Sequence, residues 1–212
     1  MNNTKNLRYL HPLLEPPKEA FSLLLPHEKL SVLDLLAFKI PVVVATKNDI
    51  PATVFFSMDQ PSLLDITLLQ DLPVPSSETL QDLAELSVSL LDNGARSLQC
   101  AHFAEDLGTK LPCWVLTYWC EVMTLRTKYL EPWIQARENL ERRDWLWKDQ
   151  EKEGTQTLID KVYNALNSVL WSANIRGFSN TERTVTLATY CTDEWLSDIQ
   201  ENQMLDLLQR RL

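Results

Sequence analysis

Apolar residues in this chain recur mostly at helical spacing, and the breaks in that spacing mark the other elements. The first 25 residues are interrupted at Pro12, Pro16 and Pro17, which leaves room for one short helix near Lys18 to Leu25. Leu30, Leu33, Leu35 and Leu36 then fall on one side of a helix over Glu28 to Phe38, ended by Pro41. The period changes at Val42-Val43-Val44-Ala45 and again at Thr53-Val54-Phe55-Phe56. These β-branched and aromatic runs, joined through Lys47-Asn48-Asp49, predict a small hairpin over 42–45 and 53–56.

Helical spacing returns at Leu63, Leu64, Leu68 and Leu69. A Pro-Val-Pro-Ser-Ser linker at 73–77 offers Ser77 as N-cap for a helix from Glu78 to Leu91. Asn93-Gly94 closes it, with Gly94 suited to the left-handed position after a helix. Ser97 to Leu107 reads as another short helix, ended by Gly108. The strongest pattern runs from Leu111 to Gln150. Trp114, Tyr118, Val122, Leu125, Tyr129 and Trp133 form one stripe, and Val115, Trp119 and Met123 make the first turns apolar nearly all round. Such a helix is normally buried, and Pro132 must kink or divide it. A helix over Thr157 to Trp171, a loop around Gly177, a short strand near 184–190 and a last helix from Trp195 complete the pattern. The fold class expected is mainly α: an irregular multi-helix protein with one hairpin and one short strand. Three regions are expected, 1–60, 61–175 and 176–212.

Composition agrees, since 38 leucines and only 4 glycines in 212 residues favour helices. The net charge of −9 is uneven. From Asp59 to Asp106 there are nine acidic residues (Asp59, Asp65, Asp71, Glu78, Asp82, Glu85, Asp92, Glu105, Asp106) against Arg96 alone. That stretch repels phosphate backbones and argues against nucleic-acid binding through it. It reads first as solvated helix faces. The N-terminus lacks the pattern of a secretory signal, and no apolar run is long enough for a membrane span. An intracellular protein, cytoplasmic or nuclear, is expected, with Cys100, Cys113, Cys120 and Cys191 as free thiols.

Catalytic chemistry finds little purchase. Cys100 and His102 form the closest Cys/His pair, but a zinc site needs about four ligands, and Cys113 and Cys120 lie beyond Gly108 and Pro112. His11 and His27 lie in the Pro-broken start, and no cysteine has a nucleophile's setting. Four scattered glycines make no phosphate loop. No cofactor and no metal site are expected. Arg142-Arg143 beside Trp145 and Trp147 is the nearest to a basic aromatic patch, with Glu138, Glu141, Asp144 and Asp149 close in sequence to neutralise it. Trp114, Trp119 and Trp133 read as core. Trp145 and Trp147, two apart, point to different faces, so one is a candidate partner contact.

The segment Trp195-Leu196-Ser197-Asp198, followed by Asn202, Met204, Leu205, Leu207 and Leu208, resembles the segment that opens the catalytic domain in ubiquitin-like-protein (SUMO-type) cysteine proteases. More broadly, residues 111–122 and 177–208 resemble the region upstream of protease-like domains in fungal transposon-associated proteins. The resemblance implies that Trp195 helps clamp the diglycine tail of a ubiquitin-like protein and that Asp198 pairs with an arginine on it. It also implies that the family's His, Asp and Cys come after this segment. The chain then reads as the N-terminal part of such a peptidase, truncated before its catalytic residues and without activity alone. Gln200 and Glu201 depart from the family's pattern, with Ile199 carrying the apolar role earlier. The other reading of the residues is a helical protein–protein interaction module. It would bind through its acidic face or through Trp119, Trp145 and Trp147.

Overall fold

The computed structural model describes residues 7–45, 51–62, 65–99, 110–149, 155–175 and 181–209. The protein is mainly α. Among the described residues the helices are α1 (Leu7–Leu10), α2 (Lys18–Leu24), α3 (Val32–Ala37), α4 (Ser77–Asp92), α5 (Val115–Leu125), α6 (Glu131–Asp149), α7 (Thr155–Ser168) and α8 (Asp198–Gln209). Two compact units result. One comprises residues 1–25 and 39–124, the other 26–38 and 125–212. The α3 segment, early in the chain, thus belongs with the C-terminal half.

The first unit is built around α5. Val115, Leu116, Tyr118, Trp119 and Val122 are all fully buried, as a helix apolar on every side requires. Leu7, Leu14, Leu24, Phe55, Leu83 and Leu98 pack in the same core. Thr117 sits in that core because its hydroxyl donates to Leu14 O at 2.7 Å. α4 presents Leu80, Leu83 and Leu91 inward and leaves Glu78, Asp82 and Glu85 in solvent. Its N-cap is Ser76, not Ser77: the Ser76 hydroxyl accepts from Thr79 N. Gly94 follows with φ of +105°, the positive-φ role expected of it.

The predicted hairpin does not form. The first run contributes β1 (Val43–Val44), which pairs in parallel with Val74–Pro75 (β3). Ala52–Phe55, from the second run, winds a 3₁₀ turn behind Pro51, whose φ of −59° sets the turn's entry. β2 (Phe56–Ser57) continues from it and pairs with β4 (Ser97–Leu98), which pairs with β5 (Leu111–Pro112), all antiparallel. β-branched runs declare a preference for pleated, half-buried surfaces but do not name a partner. Ser97–Leu98 is thus strand where a helix is expected. The expected turn at Lys47–Asp49, Leu63, Leu64 and residues 100–107 of the expected helix lie outside the described residues, as do Gly108 and Gly177. Ile66–Gln70 is a 3₁₀ helix capped by Asp65, which accepts from Thr67 N.

In the second unit α6 buries Trp133, Ala136 and Leu140, three and four residues apart, and α7, packed on α6, buries Ile159 and Leu166. Ahead of it, Arg126–Leu130 forms a π-helical turn in which Glu131 N–H reaches Arg126 O, five residues back. Pro132 explains the widening. It has no N–H to offer Lys128 O, and its ring crowds that carbonyl. The turn sets Tyr129 edge-on to Trp171, with ring centroids 5.0 Å apart. α3, opened by a Ser31/Asp34 capping box, is tied to the chain after α7. Val32 N donates to Val169 O, Trp171 N to Leu30 O and Trp171 Nε1 to His27 O.

The strand expected at 184–190 is instead a long 3₁₀ helix, Thr184–Cys191, packed on α6. A two-residue hairpin of β6 (Asn174–Ile175) and β7 (Glu182–Arg183) precedes it. Buried Thr184 turns the chain. Its hydroxyl lies 2.8–3.1 Å from the carbonyls of Leu170, Trp171 and Ala173, a local attachment that competes with extended pairing. Because Trp133 is buried at the centre of the second unit, Trp133→Ala is expected to cost that unit about 3–5 kcal/mol in chemical denaturation. A loss below about 1 kcal/mol would contradict this packing.

Candidate protein-binding surface

The residues singled out by resemblance lie after the 3₁₀ helix, in the second unit. Thr192 ends that helix, its N–H donating to Thr189 O. Asp193 is then gripped by two consecutive arginines of α6. Arg142 and Arg143 each donate to one of its carboxylate oxygens, and Arg143 also donates to Thr192 O at 3.3 Å. These bonds, that from Arg143 first, hold the Asp193 carboxyl below the usual carboxylate range. Two of the expected neutralisers of the arginine pair have other engagements: Glu141 faces Arg137 and Asp144 faces Lys148.

Ser197 opens α8. Its N–H and hydroxyl both donate to Gln200 Oε1, the reciprocal half of a capping box. Gln200 and Gln203 are almost fully buried, whereas Ile199, Met204, Leu205, Leu207 and Leu208 are exposed. α8 is therefore inverted, attached by polar side chains and presenting apolar ones. Gln200 Nε2 donates to Thr186 O at 3.1 Å. The Tyr190 hydroxyl lies 3.0 Å from Gln200 O and 3.1 Å from Gln203 Oε1. Gln203 Nε2 is buried without a hydrogen-bond partner.

Trp195 stands between these two attachments, the arginine grip and the α8 cap, and it is 97% exposed. Asp198 is exposed in the first turn of α8, where a carboxylate favours the helix dipole, and makes no ion pair among the described residues. Both residues are thus presented to solvent within one short stretch of chain.

The described thiols are poor nucleophiles. Burial pushes Cys113 up to about 11 and Cys120 up to about 12, and raises Cys191 despite the nearby Arg143 charge. His11 Nδ1 accepts from Leu13 N and His27 Nδ1 from Lys29 N, so both rings serve as caps of local turns. No group of three potential ligands converges on a metal position among the described residues. Cys100 and His102 lie outside them. No helix of the described residues is long and apolar enough to cross a membrane. Among the tryptophans, Trp114, Trp119 and Trp133 are buried core, which removes Trp119 from the aromatic contact surface expected with Trp145 and Trp147. Trp145 is 68% exposed.

Comparison with protein-family models, curated proteins and solved structures finds no match.

Two outcomes test this geometry. The lowered Asp193 value means that its attachment is complete above the ordinary aspartate value of about 3.9 and is lost only as pH falls through the lower folded value. A carboxyl NMR titration is expected to place its midpoint below about 3.9, and a midpoint above 4 would refute the grip. Gln203→Met keeps the volume but removes the Oε1 acceptor of the Tyr190 hydroxyl together with the orphaned donor, and is expected to speed exchange across α8 by about 1 kcal/mol of lost protection. Slower exchange would show that the orphaned donor outweighs the Tyr190 bond and that the amide does not hold α8.

Proposed function

We propose that this chain is a non-catalytic part of a SUMO-protease-like protein and that its Trp195 segment recognises the diglycine tail of a ubiquitin-like protein. The observation that carries this reading is the 97% exposure of Trp195 on a stretch of chain attached on both sides. An indole presented in this way gains most from being covered, because a large apolar face leaves water without ordering a long flexible side chain. A chain of two glycines is narrow enough to lie flat against that face. Asp198 supports the reading as a carboxylate open to a charge-assisted pair with a basic residue on the partner. The non-catalytic part rests on the buried thiols of Cys113 and Cys120, on the partly buried Cys191 thiol, all raised in pKa, and on histidines engaged in turn caps.

A second reading, a helical module binding an unrelated protein, is favoured by exposed Trp145 on α6. Calorimetry with a SUMO-type protein ending in Gly-Gly, and with the same protein lacking those glycines, separates the two. Trp195→Ala is expected to weaken binding of the intact tail at least tenfold, about 1.4 kcal/mol, while Trp145→Ala leaves it unchanged. Equal binding of the shortened protein, or full binding by Trp195→Ala, would overturn the tail-recognition reading.

A further inference from the structure

We propose that Asp193 is a positioning residue: held by Arg142 and Arg143 of α6, it fixes where Trp195 is presented to its partner. This rests on the reading of Trp195 as the tail contact.

Three contacts converge on two adjacent residues. The Asp193 carboxylate receives both guanidinium groups, and the Thr192 carbonyl receives a second bond from Arg143. Arg142 is itself steadied by Asn139 Oδ1 at 2.6 Å, one turn earlier on α6. α6 is in turn anchored in the core through Trp133, Ala136 and Leu140. The grip therefore joins a rigid helix to the chain two residues before Trp195. On the other side, Ser197 is fastened to Gln200 two residues after it. Trp195 makes little packing contact of its own at 97% exposure, so its place is set by these flanking attachments.

The arrangement is exposed: the side chains of Asp193 and Arg142 are more than half accessible. Exposed ion pairs contribute little to overall stability and are weakened by salt. Two guanidinium groups on one carboxylate do restrict its direction, which is the property a presenting loop needs. A grip of this kind orders residues 192–197 without being required for the fold.

The experiment is amide exchange and binding on the full chain. In Asp193→Ala, residues 192–197 are expected to exchange at least tenfold faster while α6 and α7 are unchanged. Asp193→Glu is expected to restore protection in part, and the charge-swapped Asp193→Arg/Arg142→Asp/Arg143→Asp variant to restore it more fully than Asp193→Arg alone. Unchanged exchange at 192–197, or loss of protection throughout the second unit, would overturn the positioning role whatever the partner. In the binding arm, Asp193→Ala is expected to weaken the SUMO-type protein ending in Gly-Gly at least fivefold, with Trp195→Ala adding less on this background than alone. Faster exchange with wild-type affinity would overturn the claim that the grip serves binding. Failure of the unaltered chain to bind that protein would instead sink the tail-recognition reading, with the exchange result still deciding the grip.

Discussion

The attachment of α8 by buried glutamines is the constraint on which the surface around Trp195 depends. Gln200 and Gln203 occupy the inward stripe where leucines would ordinarily lie, and they meet Tyr190, Thr186 and Ser197 through hydrogen bonds. Net gains from such bonds are modest, about 1 kcal/mol each, and the unpaired Gln203 Nε2 works against them. Directionality is what the glutamines contribute. Hydrogen bonds fix the rotation of the helix, so Leu205 and Leu208 point outward and Ser197 is placed to hold the end of the Trp195 stretch.

The chemistry of the second unit follows the same division between rigid support and exposed contact. α6 is buried along Trp133, Ala136 and Leu140, and its outer face carries the arginines that meet Asp193. Pro132 and the π turn before it set the start of that helix and with it the phase of both faces. Pro132 has no N–H for Lys128 O, and the π turn, with its i→i+5 bond from Glu131 to Arg126, lies immediately before it.

Much of this was legible in the residues and some was not. α5 could be read as buried because its apolar positions leave no polar side, and Gly94 as the helix end because few other residues take a positive φ. The 42–45/53–56 hairpin and the 184–190 strand were misread for one reason: β-branched residues signal local preference, while strand pairing and side-chain capping are decided by distant or competing partners. Val43 finds Val74, and Thr184 finds three carbonyls. Nothing within one turn of Asp193 shows in the sequence that Arg142 and Arg143, fifty residues earlier, take its carboxylate. Trp195 and Asp198 came into view through resemblance, and what the geometry adds is their exposure.

The proposed recognition of a diglycine tail is tested most directly by mapping where a SUMO-type protein contacts the chain. Chemical-shift mapping of the labelled chain during titration with that protein is expected to move the Trp195 indole N–H and the amides of residues 192–202 first, with Trp145 and Trp147 undisturbed. Shifts centred on Trp145, or none near Trp195 at saturating partner, would contradict it.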